Sequence, residues 1–186
     1  MSHRSLMFAS LIRGESVINN LSTGKDVDST KKCLESCGVN VSLKDDSIIV
    51  RGGFFKSPTI PLNCGNSGTT ARLLAGLLAG KKINVELIGD KSLSNRPMDR
   101  IIAPLTSMGV KIQSNSGKLP IKIFSSNLKS IEYELPIASA QVKSCLILAA
   151  LDGNGRTVLK EKIKTRDHTE IMLNELGVKI SSNSHI

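Results

Sequence analysis

Apolar and polar positions along this chain fall into a pattern that occurs three times. Ala71–Ala79 (ARLLAGLLA) and Val142–Leu151 are apolar almost all round, as a helix buried on every side must be. A third such helix is predicted at about Arg4–Ile12. Each is followed by a segment that reads as a strand: Ser16–Leu21, Lys82–Ile88 and Thr157–Glu161. A more amphipathic helix comes next, at Asp28–Cys37, Met98–Met108 and Asp167–Leu176, with Pro104 expected to strain or kink the middle one. These second helices end alike, in LESCGVNV (Leu34–Val41), LTSMGVKI (Leu105–Ile112) and LNELGVKI (Leu173–Ile180). Each ending reads as a last helical turn, a glycine C-cap and the start of a strand. Gly38, Gly109 and Gly177 lie 71 and 68 residues apart. Gly14, Gly80 and Gly153, each closing an apolar helix before a strand, lie 66 and 73 apart. Self-similarity at such a period sets the architecture.

The middle stretch is complete and defines the others. A strand, Thr59–Cys64, enters the turn Gly65–Thr70 and the apolar helix; after the next strand come a loop, Asp90–Asn95, and a helix with Pro97 at its start. Val110–Gln113 and Pro120–Phe124 are then strands joined by the polar turn SNSGK. The unit is β-α-β-α-β-β. The first unit closes with strands Asn40–Leu43 and Ser47–Arg51 but has no strand before Ser2. The third opens with Tyr133–Ile137, continues past its second helix into Val178–Ser181, and stops at Ser182–Ile186 without a final strand. The expectation is an α/β protein of three such units with buried parallel helices, at about 1–53, 54–126 and 127–186, in one domain spanning 1–186. Unpaired sheet edges at both ends read as the marks of a chain cut from something longer.

Composition narrows the chemistry. An excess of 25 Lys and Arg over 16 Asp and Glu gives a net charge of +9, which favours an anionic partner. Only 3% of residues are aromatic, with a single tyrosine, Tyr133, and no basic run or stripe. A nucleic-acid-binding domain, suggested by the charge alone, therefore lacks a stacking platform. No apolar stretch reaches membrane-spanning length, and Met1 is followed by neither signal sequence nor transit peptide. Cys33, Cys37, Cys64 and Cys145 form no CxxC pair and read as reduced thiols of a cytoplasmic protein. Cys33 and Cys37 stand one helical turn apart, but no His or further Cys completes a metal site. His3, His168 and His185 have neither metal-binding nor triad spacing.

Candidate chemistry gathers where the apolar helices begin. Ser2-His3-Arg4, Gly65–Thr70 and Ser139-Ala140-Gln141 are related polar turns. If the units pack about a pseudo-threefold axis, these turns meet, and free amide N–H groups at helix N-termini bind anions. Arg4, Arg96 and Arg166 fall in or beside the same turns, and guanidinium forks match phosphate and carboxylate oxygens. A substrate with two or more separated anionic groups is expected. Taken singly, each feature also has a plainer use. Gly65–Gly68 and Gln141 can merely cap helices, Arg96 can be a surface charge, and Arg4 can be solvated.

At these residues the chain resembles the 5-enolpyruvylshikimate-3-phosphate synthases. The resemblance runs through essentially the whole chain, carried by Ser2–Ala9 (SHRSLMFA), Gly65–Arg72 (GNSGTTAR), Gly89–Pro97 (GDKSLSNRP), Ala138–Leu151 (ASAQVKSCLILAAL) and Lys164–Leu173 (KTRDHTEIML). The SAQ and RDHTE stretches look like the branch of the family found in many bacteria. The family's fold is two domains, each of three β-α-β-α-β-β units in an inside-out α/β barrel, with the active site between them. The resemblance thus implies most of one domain here and none of the second. It implies transfer of the enolpyruvyl group of phosphoenolpyruvate to the 5-hydroxyl of shikimate 3-phosphate, by addition–elimination through a tetrahedral intermediate, without metal or organic cofactor. Carried over by position, Arg4, Ser139, Gln141 and Arg166 bind shikimate 3-phosphate; Gly68, Arg96 and Gln141 bind phosphoenolpyruvate. Gly68 matches the glycine whose missing side chain also admits glyphosate, and Thr165 matches a hydroxyl that helps hold the phosphate.

The chain departs from the family at its start, where Met1-Ser2-His3-Arg4 lacks the Lys-Ser of the family's N-terminal motif. Lys91-Ser92 resembles that motif but sits in the middle unit. The family's catalytic Lys, Asp and Glu have no counterparts in this chain, so no catalytic residue is assigned and the chain alone is expected not to turn over. The partners expected are the two phosphorylated substrates, with no nucleic acid and no membrane, in a full-length enzyme that is a cytoplasmic monomer. Other readings are the related transferase acting on a UDP-amino sugar, which shares the fold but fits SAQ and RDHTE less well, and a non-catalytic remnant.

Overall fold

The computed structural model describes residues 1–182, and its elements follow the repeated order. The first stretch holds α1 (Ser2–Leu11), β1 (Gly14–Asn19), α2 (Lys25–Ser36), β2 (Asn40–Lys44) and β3 (Ser47–Gly52). The second holds β4 (Leu62–Asn63), α3 (Gly68–Gly80), β5 (Val85–Ile88), α4 (Lys91–Ser94), α5 (Asp99–Ser107), β6 (Lys111–Asn115) and β7 (Lys118–Phe124). The third holds β8 (Glu132–Leu135), α6 (Ala140–Ala150), β9 (Val158–Glu161) and α7 (His168–Glu175).

Each stretch makes its own sheet. The first is antiparallel in the order β1-β3-β2; the second runs β4-β5-β7-β6, with β4 and β5 parallel and the rest antiparallel; the third is the parallel pair β8-β9. Strand β7 shows the expected alternation, with Leu119, Ile121 and Ile123 buried and Lys118, Pro120 and Lys122 exposed.

The amphipathic helices end in one recurring device. Gly38, Gly109 and Gly177 take φ of +94°, +92° and +85°, a region open to glycine at little cost. Next to each, the N–H of the following valine reaches back to a leucine carbonyl: Val39 to Leu34, Val110 to Leu105 and Val178 to Leu173, at 3.1, 3.0 and 2.9 Å. The glycine N–H closes a second, shorter ring, as from Gly38 to the Glu35 carbonyl at 2.9 Å. These are Schellman caps, and they satisfy carbonyls that would otherwise be left open.

The apolar helices form the centre. All but two residues of α3 are buried, Thr69 and Arg72 being the exceptions, and α3 packs along α6. The approach is close enough that a methyl on Gly76 would collide with the Cys145 carbonyl. Leu6, Met7, Leu73, Leu74, Leu77, Leu78, Leu146 and Leu148 join the other buried side chains in one continuous cluster.

Several expected boundaries move. Strand Thr59–Cys64 shortens to Leu62–Asn63, and the loop Asp90–Asn95 contains the single turn α4, whose first N–H groups the Asp90 carboxylate caps through Leu93 at 2.7 Å. Pro104 stays inside α5 and is buried there. No strand forms at Val178–Ser181. Its counterparts β2 and β6 each pair solely with the strand that follows them, and no such strand follows among the described residues. His185 lies outside the described residues, as does all but Ser182 of the stretch expected to end the third unit.

Candidate functional site

The N-terminal halves of the three apolar helices are linked by hydrogen bonds in a circuit that closes through Thr30 of α2. Arg4 in α1 donates from Nη2 to Ser144 Oγ of α6 at 3.0 Å. Gln141, also in α6, donates from Nε2 to Thr69 Oγ1 of α3 at 3.0 Å. Thr70 of α3 shares a 2.7 Å hydrogen bond with Thr30 of α2, and Thr30 bonds His3 Nδ1 of α1, again at 2.7 Å. The convergence expected of the three polar turns is therefore observed.

Around the α3 terminus the backbone is set by its caps. Ser67 Oγ accepts the Thr70 N–H at 3.1 Å, and the Thr70 hydroxyl bonds Ser67 Oγ at 2.7 Å. Gly68 is buried, and a methyl there would lie 2.8 Å from Arg72 Nη1 and 3.3 Å from Arg96 Nη1. Two guanidinium tips thus border the glycine. Arg96 is held in place by the Asn66 carbonyl at 3.3 Å, by Asn66 Oδ1 and by Ser92 Oγ at 3.4 Å. Asn66 in turn donates to Asp90 Oδ2 at 2.7 Å. The Leu93 N–H and then the Asn66 amide hold the Asp90 carboxyl below its ordinary range. Ser92 of the expected look-alike pair therefore supports Arg96, while Lys91 is exposed.

Arg72 is the residue that sequence reasoning missed. It donates from Nη1 to Gln141 Oε1 at 3.0 Å and from Nη2 to the Pro97 carbonyl at 3.2 Å. Because guanidinium only donates, these bonds fix the orientation of the Gln141 amide, with oxygen toward Arg72 and nitrogen toward Thr69. Burial first, then the charges of Arg96 and Arg100, pull the Arg72 pKa below its ordinary value. An anion would relieve that repulsion. One charge in an otherwise apolar buried helix was the signal available in the sequence.

The second group of arginines lies across α6. Arg4 donates from Nε to Thr169 Oγ1 at 2.7 Å, and Thr169 bonds Ser144 at 2.7 Å. Its pKa falls through burial and then through the nearby charge of Arg166. Arg166 is exposed, and its charge is near enough to act on Arg4. Ser139 caps α6 by accepting the Val142 N–H at 3.4 Å, which leaves its own hydroxyl proton free to donate outward. Thr165 is turned the other way and donates to Glu161 Oε1. Gly68, Arg96 and Gln141 thus form one group through Arg72. Arg4 and Arg166 form another, and Gln141 and Ser144 on one face of α6 join them. Among the described residues no cluster of His, Cys, Asp and Glu has metal-binding geometry, and no helix is long and apolar enough to cross a membrane.

Fold and site together define an α/β protein that gathers helix N-termini and arginines into two adjoining groups, an arrangement whose chemistry suits anionic ligands. The family model for EPSP synthase (3-phosphoshikimate 1-carboxyvinyltransferase) matches residues 1–186, and the chain belongs to that family. It is 50% identical over 189 positions to the 3-phosphoshikimate 1-carboxyvinyltransferase of Vesicomyosocius okutanii, covering 100% of this chain and 43% of that protein. To the protein of that name from Streptococcus mutans it is 49% identical over 183 positions, covering 95% and 43%. The solved EPSP synthase of Acinetobacter baumannii superposes with a TM-score of 0.93 at 40% identity, covering 98% of this chain and 42% of that one. The chain spans less than half the length of the relatives it matches.

Proposed function

We propose that this chain forms one wall of the active site of a 3-phosphoshikimate 1-carboxyvinyltransferase. The observation that carries the reading is the circuit linking the N-terminal halves of the apolar helices, flanked by two arginine groups. It occurs in a chain half identical to a relative bearing that name. In the reaction the 5-hydroxyl of shikimate 3-phosphate gives up its proton as its oxygen bonds to C2 of phosphoenolpyruvate, while C3 gains a proton. Loss of a C3 proton and of phosphate from that tetrahedral adduct then gives the enolpyruvyl ether. Gly68, Arg96 and Gln141, with Arg72 behind them, receive phosphoenolpyruvate. Arg4, Ser139, Gln141 and Arg166 receive shikimate 3-phosphate. Gln141 stands between the two groups and orients one substrate against the other.

Proton transfer needs a group within hydrogen-bond reach of the reacting atoms. Asp90, Glu161 and Glu170, which border the arginines, are already bound to Asn66, Thr165 and Lys143. In this reading the chain by itself binds substrate without turnover, and the acid and base come from outside it. A cytoplasmic location and a monomeric full-length enzyme complete the proposal; four buried thiols, none in a disulfide, support the former. Calorimetric titration of the chain with shikimate 3-phosphate tests the reading. Saturable binding that Arg166→Ala abolishes is expected. Binding only to oligonucleotides, fading with salt, contradicts it.

A further inference from the structure

Lys143 lies on α6, two residues beyond Gln141, with its side chain only 7% exposed. Its ammonium bridges Glu161 Oε2 at 2.8 Å and Glu170 Oε1 at 2.7 Å. Glu161 ends β9 and Glu170 lies in the first turn of α7, so Lys143 secures both elements that segment 162–167 joins. Thr165, inside that segment, donates to the other oxygen of Glu161. The segment has little burial of its own, with Ile163 69% exposed and the Lys162 and Lys164 side chains 74% and 79% exposed. Apart from an exposed bridge from Lys162 to Glu134 of β8 at 3.2 Å, its hold on the molecule comes from this ionic cluster.

The cluster sits beside the contacts of Arg4. Residues 143 and 144 of α6 face residues 170 and 169 of α7, one pair ionic and one pair hydroxyl. Arg4 ends the hydroxyl pair, and Arg166 projects from the segment that the ionic pair secures. Glu170 Oε2 is buried without a hydrogen-bond partner, and the Glu170 carboxylate also acts by its charge on Arg4. Burial opposes the charge on Lys143, but its bonds to Glu161 and Glu170 raise its pKa overall. A buried ionic group of this kind is weak evidence of net stability, but removing one partner is costly because it strands buried charge.

We propose that Lys143 is a positioning residue whose bridges to Glu161 and Glu170 clamp segment 162–167 and so set the spacing of Arg166 from Arg4 required by a phosphate ester. The proposal rests on reading that pair as the phosphate site for shikimate 3-phosphate. Removing the ammonium leaves two carboxylates facing each other unpaired, and the segment loosens.

Trypsin digestion of the folded chain reads the clamp without a ligand. Lys143→Met raises cleavage after Lys162, Lys164 and Arg166 about tenfold or more relative to cleavage after Lys44 in the β2–β3 turn, while Lys143→Arg stays near the parent. If Lys143→Met gives no cooperative melt, Glu161→Gln, which keeps one bridge, is read the same way. In calorimetry Lys143→Met weakens shikimate 3-phosphate about tenfold, leaves phosphoenolpyruvate unchanged, and is rescued by Lys143→Arg. Unchanged cleavage in the segment, or equal loss of both ligands, overturns the proposal. A parent chain that binds no shikimate 3-phosphate while the cleavage responds as stated overturns the phosphate reading and leaves the clamp standing.

Discussion

The Arg72 guanidinium and the Gln141 amide are locked together at 3.0 Å, tying the middle of one buried helix turn to the start of another. Arg72 also holds the Pro97 carbonyl at 3.2 Å, one residue past Arg96. One side chain therefore sets the positions of two residues assigned here to phosphoenolpyruvate.

Arg72→Ala accordingly frees Gln141 to rotate and loosens the Arg96 segment. A hydrogen bond from a charged group contributes about 1.5–3 kcal/mol, so phosphoenolpyruvate binding falls about ten- to a hundredfold in calorimetry. Arg72→Lys, a single donor point without the fork, recovers only part of the loss.

Gly76 is where α3 and α6 meet most closely. Gly76→Ala drives a methyl into the Cys145 carbonyl, a backbone atom that cannot swing aside. The expected cost is about 1–3 kcal/mol in denaturant unfolding, typical of overpacking. A cost near zero would show the helices free to separate.

All four thiols are buried. Burial pushes Cys37 up to about 12, with Cys33 adding to it, and burial likewise pushes Cys145 up to about 12. The thiolate is the reactive form. At pH 8 an aromatic disulfide reagent is therefore expected to label none of the four in the folded chain and all four in denaturant. Rapid labelling without denaturant would contradict the packing of α2 against β4 and of α3 against α6.

His3 is half-buried, and burial, only partly opposed by Asp26, holds its pKa below the ordinary 6.5. The folded state thus binds its proton later than the unfolded chain as pH falls. Stability contributed by neutral His3 is present above 6.5 and declines as pH drops from 6.5 through the lower folded value. The melting midpoint of the parent chain should fall more steeply below pH 6.5 than that of His3→Asn. An NMR titration placing His3 at or above 6.5 would refute this.

What could be read from residues alone was local. The three Schellman glycines were visible because a cap is specified by a few neighbours: Gly38, Gly109 and Gly177 each stand between a leucine-bearing turn and a valine. The buried helices were visible because ARLLAGLLA has no polar face. The strand expected at Val178–Ser181 fails because a strand needs a partner, which no local propensity supplies. The turn α4 was missed because four serine-rich residues carry no period, and its cap, Asp90, is equally at home in a loop. In the site, Arg4, Arg96, Gln141 and Arg166 stood out through their polar turns. Arg72 did not, since its role depends on Gln141, 69 residues away along the chain. Lys143 was likewise obscured, because its carboxylates lie on two other elements.

The central claim is that the first turns of α1, α3 and α6 build one pocket for phosphorylated ligands. Amide NMR of the chain titrated with shikimate 3-phosphate tests it most directly. Saturable shifts should appear at residues 2–4, 139–144 and 165–169, extend to 66–72 when phosphoenolpyruvate is added, and vanish in Arg166→Ala. Shifts scattered over the surface, or none at these helix starts while oligonucleotides bind, would contradict it.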